Sequence, residues 1–298
     1  MVTQSAQKPA LRVMTIAGSD SGGGAGIQAD LKTFAAFGVY GTSAITAITA
    51  QNTREVTAVQ TVDLPIICAQ IDAIVGDIGT DAVKVGMLAS AEIVDLVASK
   101  LNELELPNIV VDPVMVATSG DRLLKESAID ALKMSLIPLA TVVTPNLDEA
   151  MALTGLDIHD LDDMQEAAQQ IHKLGAQTVL VKGGHFAGVP FETGTTPQMS
   201  DVLYDGETFT IFKDAQIPTT STHGTGCTLS SAIAAGLSRG RPVADAIADA
   251  KAYLTDTLSN SFPIGKGQGP VNHLFGWWSG GGANGKGGAT HSVTRESG

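Results

Sequence analysis

The stretch DAVKVGMLASAEIVDLVASKLNELELPNIVVDP, residues 81–113, decides the fold that we expect for this chain. Its first seven residues are rich in apolar side chains, which is typical of a short buried strand. Residues 90–104 repeat apolar positions at helical spacing, behind Ser90 as a candidate N-cap with Glu92 in the first turn. NIVVDP, residues 108–113, is a second apolar strand. The order strand, helix, strand predicts a right-handed crossover between parallel strands.

The same alternation continues on both sides of that stretch. Further strand-like segments are 11–18, 42–49, 141–145 and 177–183, and further helical patterns are 27–38, 65–79, 124–140, 146–155, 161–175, 227–239 and 242–260. Asp205-Gly206 indicates a hairpin between two late strands. We therefore predict an α/β fold, with a central, mostly parallel sheet covered by helices on both faces in three α/β/α layers.

One domain accounts for nearly all of this pattern. We assign it to residues 11–278, and we expect residues 1–10 and the glycine-rich tail, residues 279–298, to be disordered because neither can build a core. The polar, glycine-rich segment 183–199 is typical of a mobile lid over a site.

Composition limits the partners that the protein can have. The formal net charge is −13, which disfavours attraction to nucleic acid or to an anionic membrane. No apolar run approaches the roughly 18 residues of a membrane span, and the first 18 residues lack the long apolar run that is typical of a signal peptide. Cys68 and Cys227 are the only cysteines, too few for a disulfide framework, so we expect a cytoplasmic protein.

The first glycine cluster, GSDSGGGAGIQAD at 18–30, links a strand to a helix. A dinucleotide site should carry an acidic residue about 20 positions later, and none occurs between Asp30 and Glu55. A tight connection is one alternative. We favour a turn whose backbone approaches a small polar ligand, with Asp20 accepting hydrogen bonds from it. The chain carries neither a P-loop motif nor an H-E-x-x-H zinc motif.

Polar residues follow three of the predicted strands. In TPNLDE, residues 144–149, Asn146 and Glu149 have the spacing of a capping box, and Glu149 could also act on Mg²⁺ through water. Both interpretations can be true together. Asp112, at the end of its own strand, is a second candidate for binding the metal. Lys182 is either the solvated end of a strand or a point charge for a nucleotide phosphate.

THGTGC, residues 222–227, precedes a helix. Gly224 and Gly226 let several backbone N–H groups turn toward one point, where the helix N-terminus attracts anions. Such a nest of amides suits a transferring phosphoryl group. The same field predicts a lowered pKa for the thiol of Cys227. The alternative is a small buried cysteine that fills space beneath the helix.

Together these segments resemble one family. GSDSGGGAGIQADLKTF, ITAQNT, VKVGMLAS, VVDPVM, the SGD of 119–121, TPNLDEA, VLVKGGH and THGTGCTLSSAIAAGL are similar to hydroxymethylpyrimidine/phosphomethylpyrimidine kinases of thiamine biosynthesis, in the ribokinase-like superfamily. The resemblance covers residues 11–278 and includes the C-terminal GKGQGPVNHLFGWW.

The resemblance implies a reaction and a set of roles. ATP would phosphorylate 4-amino-5-hydroxymethyl-2-methylpyrimidine on its hydroxymethyl oxygen, and a second ATP would convert the monophosphate to the diphosphate. The implied pyrimidine site is Gln51, Gly18, Asp20, Ala25, Thr49, Met87 and Val114; the ATP site is Lys182, Thr225 and Lys251; and Mg²⁺ is held by Glu149 with Asp112 and Asn146 behind it. Gly224 and Gly226 would form the anion hole, and Cys227 would take the proton of the attacking hydroxyl.

Other interpretations stay open at this point. A pyridoxal/pyridoxine kinase acts on a similar ring that also carries a hydroxymethyl group, although Gln51, Met87 and the complete THGTGC favour the pyrimidine. A non-catalytic ligand-binding relative should lack the thiol, the nest or the carboxylate, and all three are present. The resemblance also implies a homodimer.

Overall fold

The computed structural model describes residues 10–115, 127–184, 198–278 and 294–297. The first nine residues, the SGD of 119–121 and residues 185–197 of the expected lid lie outside these ranges.

A single sheet runs through the described part of the chain. Its strands are β1 (Arg12–Asp20), β2 (Tyr40–Gln51), β3 (Val56–Thr61), β4 (Ala82–Val85), β5 (Ile109–Val111), β6 (Val142–Val143), β7 (Thr178–Lys182), β8 (Gln198–Tyr204), β9 (Phe209–Ala215) and β10 (Thr294–Ser297). Within the described ranges their order is β10-β9-β8-β7-β6-β5-β4-β1-β2-β3. The run from β2 to β7 is parallel, and β3, β8, β9 and β10 each pair antiparallel with a neighbour.

Helices join the parallel strands, as the alternation predicts. They are α1 (Gly26–Ala36), α2 (Leu64–Ala73), α3 (Ala91–Glu103), α4 (Ser127–Ala131), α5 (Leu147–Thr154), α6 (Leu161–His172), α7 (Thr225–Ser238), α8 (Val243–Ser259) and the short α9 (Phe275–Trp278). Two π-helical turns, Ile74–Ile78 and Leu132–Leu136, and a 3₁₀ turn, Ile137–Leu139, extend α2 and α4. No helix in the described ranges is long and apolar enough to cross a bilayer.

Two apolar cores lie on opposite faces of the sheet. Neighbouring strand residues alternate between them, so that Val142 faces one core and Val143 the other. Helices α1, α7 and α8 cover the face that Val142 shares, and α2 to α6 cover the opposite face. Aliphatic burial on both faces is the arrangement expected for parallel strands, and the predicted three-layer α/β/α fold is confirmed.

Predictions of caps and turns, which depend on residues close together in the sequence, are confirmed. The Ser90 side chain caps α3 by accepting from the N–H of Ile93, and the hairpin of β8 and β9 turns at residues 205–208 as Asp205-Gly206 indicated. The described part of the segment 124–140 begins with a helix, as expected, and ends in a 3₁₀ turn that contains Pro138, a residue without the N–H that an α-helix needs.

Two strands were not predicted. β3 continues from β2 as an antiparallel edge strand whose side chains are mostly exposed, so its sequence lacks the apolar alternation of a buried strand. In the tail, where we expected no regular structure, Thr294–Ser297 pairs with β9 as β10. Backbone pairing to an open edge needs no apolar side chains, so composition alone could not indicate it.

Candidate active site

A cavity of about 560 Å³ lies at the carboxyl edge of the parallel strands. Asp20, Gln51 and Lys182 are the last residues of β1, β2 and β7, and Asp112 directly follows β5. Every residue that the sequence predicted for the site lines this cavity: Gly18, Asp20, Ala25, Thr49, Gln51, Met87, Asp112, Val114, Asn146, Glu149, Lys182, Gly224, Thr225, Gly226, Cys227 and Lys251. The sheet therefore brings together residues that lie far apart along the chain.

Asp20 organises the glycine turn between β1 and α1. Its carboxylate accepts backbone N–H groups of Gly22 at 2.7 Å, Gly24 at 3.0 Å and Ala25 at 2.8 Å, and it lies 2.8 Å from Nε2 of His223. Burial acts to raise the pKa of Asp20, but the hydrogen bonds from His223 and the backbone hold that pKa below its usual value. Asp20 thus shapes the turn as well as facing the cavity.

Thr49, Gln51 and His223 form a polar patch beside that turn. The Thr49 hydroxyl lies 2.9 Å from the carbonyl oxygen of Ser19 and 3.1 Å from Oε1 of Gln51. The amide nitrogen of Gln51 lies 3.5 Å from Nε2 of His223. The sequence analysis gave His223 no role. Its position inside the THGTGC motif was the one feature of the sequence that could have indicated a role.

Gly18 and Met87 form an apolar surface next to this patch. The two residues are so close that a Cβ on Gly18 would overlap the Cε methyl group of Met87. The Met87 backbone is fixed in turn by a hydrogen bond of 2.8 Å from the Thr46 hydroxyl to its carbonyl oxygen. With Val114, these residues form an apolar part of the cavity wall beside hydrogen-bonding groups.

Asn146 and Glu149 form the predicted capping box at the start of α5. The Glu149 N–H donates to Oδ1 of Asn146 at 2.8 Å, and the Asn146 N–H donates to Oε2 of Glu149 at 2.9 Å. Burial raises the pKa of Glu149 to about 7; Lys182 opposes this rise and Asp112 adds to it. The box holds a buried carboxyl group at the cavity, so Asn146 orients Glu149.

Lys182 is paired, and its interpretation as a solvated strand end is wrong. Its Nζ lies 3.0 Å from Oδ1 of Asp112, and only 16% of its side chain is exposed. Burial acts to lower the pKa of Lys182, but Asp112 and Glu149 raise it above its usual value. The cavity therefore contains a permanent cation between two carboxyl groups.

Lys251 is held by two acidic residues that the sequence did not single out. Its ammonium group pairs with Asp201 of β8, and it lies 2.8 Å from Oδ2 of Asp214 of β9. Asp201 also accepts the backbone N–H of Gly183 at 2.9 Å. Burial acts to lower the pKa of Lys251, and the two aspartates raise it above its usual value. This cluster fastens the β8–β9 hairpin to α8.

Helix α7 begins at Thr225 with Gly224 as its N-cap in the left-handed conformation, φ 83°. A side chain at Gly224 would overlap the carbonyl oxygen of Gly24, so the two glycine turns pack directly against each other. A Cβ on Gly226 would lie 3.4 Å from both Lys182 Nζ and Asp112 Oδ2. The first amides of the helix, which have no intrahelical acceptor, are therefore next to the paired lysine.

Cys227 lies on the cavity surface, but the predicted lowering of its pKa is wrong for the structure. Burial raises the pKa of the thiol to about 11; Lys84 opposes this rise, and Asp30 and Asp112 add to it. The desolvation cost of a thiolate here outweighs the attraction of the helix N-terminus. At neutral pH the side chain is a thiol.

A fully buried ion pair lies beneath this corner of the cavity. Lys84 of β4 contacts Asp30 of α1 at 3.0 Å, and neither side chain is exposed. Asp30 also accepts the hydroxyl groups of Thr15 at 2.6 Å and Ser231 at 2.7 Å. Ser231 is one turn after Cys227 in α7, so the pair fixes the helix that carries the thiol. Sequence analysis missed both charged residues.

Parallel strands that end at a buried lysine–carboxylate cluster, with helix amides beside it, are suited to bind an anionic group next to a small ligand. This arrangement defines the class: the protein is a small-molecule phosphotransferase. Within the described ranges no three His, Cys, Asp or Glu side chains group as a metal cage.

Comparison with known proteins narrows the class to one family. The model of the phosphomethylpyrimidine kinase family matches residues 20–272. The hydroxymethylpyrimidine/phosphomethylpyrimidine kinase of Rhizobium meliloti (strain 1021) is 52% identical over 268 residues, covering 89% of this chain and 97% of that protein. The thiamine biosynthesis bifunctional protein ThiED of Geobacter sulfurreducens is 49% identical over 264 residues, and the chain spans 52% of its length. The chain belongs to the phosphomethylpyrimidine kinase family.

A solved structure confirms the fold. The pyridoxal kinase of Bacillus subtilis, crystallised as an ADP complex, has a TM-score of 0.81 and 44% sequence identity, covering 89% of this chain and 98% of that one. The architecture is the ribokinase-like fold that the motifs implied. The same comparison also keeps a pyridoxal kinase among the activities to be tested.

Proposed function

We propose that the protein transfers the terminal phosphoryl group of ATP to the hydroxymethyl oxygen of 4-amino-5-hydroxymethyl-2-methylpyrimidine, and then a second one to the resulting monophosphate. One observation carries the proposal: the polar patch of Thr49, Gln51 and His223 lines the same cavity as the N-terminus of α7. A ring bound at Gln51 would place its substituent toward the amides that follow Gly224. Family membership supports the same substrate.

Phosphoryl transfer depends mainly on positioning and on stabilising charge. The amides at the start of α7 would donate to the oxygens of the transferring group, and Lys182 would add a positive charge beside them. The flat apolar surface of Met87 and Val114 would orient the ring. Because these groups already line one cavity, we expect little reorganisation to accompany the reaction.

The donor set at Asp112, Glu149 and Asn146 suits Mg²⁺. This ion uses one or two protein carboxylates together with phosphate oxygens and water. Asp112 and Glu149 supply the carboxyl groups, while the Asn146 amide oxygen is occupied by the capping box. When bound, Mg²⁺ would neutralise charge on the ATP phosphates. A cation would also favour the ionised form of the buried Glu149, whose pKa of about 7 reflects its burial.

Cys227 is our candidate for the group that receives the hydroxyl proton. Because its thiol is protonated at neutral pH in the ligand-free protein, only a small thiolate fraction can act. We expect Cys227→Ala to reduce kcat about 100-fold, the lower end for loss of a general base, with the KM for ATP unchanged. An unchanged kcat would exclude the proton-transfer role and leave the kinase proposal standing.

A second candidate function is phosphorylation of pyridoxal or pyridoxine. The similarity to the Bacillus subtilis pyridoxal kinase favours it, and its substrate ring would also fit against Met87. The two functions differ in the hydrogen-bond pattern that Gln51 must meet.

Product analysis tests the proposal directly. The purified protein is incubated with ATP, Mg²⁺ and the hydroxymethylpyrimidine, and products are separated by anion exchange over time. We expect the monophosphate first and the diphosphate later, with matching ADP release. Parallel reactions with pyridoxal and pyridoxine give the kcat/KM ratio. Absence of phosphorylated pyrimidine at any time would reject the proposal, and a ratio favouring pyridoxal would select the second candidate.

A further inference from the structure

The C-terminal motif GKGQGP, residues 265–270, takes no part in the proposed reaction, yet it packs against two segments that border the cavity. We call these six residues the clasp. The structure describes all six, and none of them lines the cavity. One bordering segment is the turn 52–55, which follows Gln51 at the end of β2, and the other is 221–223, which precedes Gly224. The clasp therefore joins two parts of the site from outside.

The first half of the clasp lies against Thr53 in the turn after β2. The backbone N–H groups of Lys266 and Gly267 both donate to the Thr53 hydroxyl oxygen, at 3.2 Å and 3.1 Å. A Cβ on Gly267 would overlap the carbonyl oxygen of Thr53. Only a residue without a side chain permits so close an approach of two backbones. The position of this turn is therefore tied to the position of the clasp.

The second half of the clasp holds the segment that leads into α7. The carbonyl oxygen of Gly269 accepts the backbone N–H of His223 at 3.0 Å. Oε1 of Gln268 accepts the Thr222 hydroxyl at 2.6 Å. A Cβ on Gly269 would lie 2.9 Å from the Ser221 hydroxyl oxygen, which is tighter than ordinary packing. The clasp thus connects the end of β2, where the ring would bind, to the helix amides, where the phosphoryl group would bind.

The two proposed transfers need different distances between those two parts of the site. In each transfer the bond from the terminal phosphorus of ATP to ADP breaks as a bond to the attacking oxygen forms. The first attacking oxygen is the hydroxymethyl oxygen, which loses its proton. The second is an ionised oxygen of the attached phosphate, farther from the ring by one phosphorus and one oxygen atom. Because a misplacement of about 1 Å can cost about 100-fold in rate, one fixed separation cannot suit both acceptors equally.

We propose that the clasp sets the separation between Gln51 and the N-terminus of α7, and thereby divides the activity between the hydroxymethylpyrimidine and its monophosphate. The inference rests on the proposed function and adds what determines the preference between its two acceptors. The clasp residues are positioning residues, since they act through Thr53 and His223 and do not line the cavity. A wider separation favours the longer acceptor.

Steady-state kinetics of Gly267→Ala, with each acceptor supplied separately, tests the inference. The added methyl group and the Thr53 carbonyl oxygen cannot share the same space, so the turn must move away from the clasp. We expect the ratio of kcat/KM for the monophosphate to kcat/KM for the hydroxymethylpyrimidine to rise about 10-fold, with the KM for ATP within twofold. Gly76→Ala is the matched control, because a Cβ there meets no atom within 4 Å and Gly76 does not line the cavity.

Two substitutions of Thr53 test the same contact without adding bulk, and they decide the matter if Gly267→Ala does not fold. Thr53→Ala removes the oxygen that accepts the two N–H groups of the clasp, and water can replace it because both hydrogen bonds are exposed. The turn is then less tightly held, so the same ratio should rise about threefold, as expected for the loss of a modest hydrogen bond. Thr53→Ser keeps the oxygen and should keep the wild-type ratio.

The proposed function and this inference can fail separately. If the wild-type protein phosphorylates neither acceptor, the function itself is wrong. If it phosphorylates both, and Gly267→Ala or Thr53→Ala shows native circular dichroism with equal losses for the two acceptors, the clasp only supports the fold and the inference is overturned. A fall in the ratio would also overturn it, because a wider separation cannot favour the shorter acceptor.

Discussion

At the scale of single residues, burial and neighbouring charges act in opposite directions on the pKa of the Cys227 thiol. Burial and two carboxylates raise its pKa to about 11, and Lys84 only partly opposes them. In a Cys68→Ser background, where Cys227 is the one thiol, we expect iodoacetamide to react about tenfold faster for each pH unit between 7 and 9.5, without a plateau. In urea, the reaction rate of the same variant should level off once the pH exceeds the ordinary cysteine pKa of about 8.5. A plateau below pH 8 in the folded protein would contradict the raised pKa.

The buried pair of Lys84 and Asp30 gives a second prediction at this scale. Asp30→Asn removes the counter-ion of a lysine whose side chain is fully buried. We expect the free energy of unfolding to fall by about 3–5 kcal/mol, because an uncompensated charge stays in the interior. Urea denaturation measures the change. Asp249→Asn, which breaks an exposed pair with Arg241, is the control and should have little effect. A similarly small loss for Asp30→Asn would mean that the pair is dispensable.

At the scale of elements, the N-terminus of α7 depends on one glycine. Gly224 has φ 83°, and a side chain there would overlap the Gly24 carbonyl oxygen. We expect Gly224→Ala to lower kcat/KM for the pyrimidine about 100-fold, because the helix amides move away from the phosphoryl position. The added backbone strain should also cost about 1–3 kcal/mol of stability.

The opposite end of α7 provides the matched control for Gly224→Ala. Gly240 also has a positive φ, 74°, but a Cβ there would meet no atom within 4 Å, and it does not line the cavity. Gly240→Ala should lower the melting temperature through strain and leave kcat/KM within twofold. If the two variants lost activity equally, the effect would come from stability and not from the position of the amides.

Elements were predictable where the deciding contacts are local. The capping box of Asn146 and Glu149 and the Ser90 cap join residues three positions apart, so their spacing in the sequence is their geometry. β3 and the π-helical turns were missed because neighbouring strands and packing determine them more than composition does.

At the scale of the whole molecule, the parallel sheet and the site at its edge were predictable because alternating strands and helices allow few topologies. The motifs then fell at strand ends, where the cavity lies. Pairs that close over long separations were not predictable: His223 and Asp20 are 203 residues apart, and Lys251 and Asp201 are 50 apart. Nothing local distinguishes such residues from solvated charges, and the thiol pKa likewise depends on burial that only the assembled fold creates.

The pH dependence of global stability tests one such buried group, His273, which lies where the C-terminal segment meets α7 and α8. Its Nε2 is 2.9 Å from the Thr228 hydroxyl, and burial lowers its pKa to about 3, with Lys32 contributing. The unfolded chain takes up a proton near pH 6.5, whereas the folded protein does not, so stability is full above pH 6.5 and falls as the pH drops toward 3. Between pH 6.5 and 5 this single residue should remove about 2 kcal/mol.

His273→Gln isolates that contribution, because Gln can still donate a hydrogen bond to Thr228 but does not titrate. Urea denaturation of both proteins at pH 7.5, 6.5 and 5 should show a smaller loss of unfolding free energy in the variant, by about 2 kcal/mol at pH 5. His159→Gln, a substitution at an exposed histidine, is the matched control and should keep the wild-type slope. Identical slopes in the wild-type and His273→Gln proteins would mean that the imidazole accepts a proton without unfolding, and that the C-terminal segment opens locally to let water reach it.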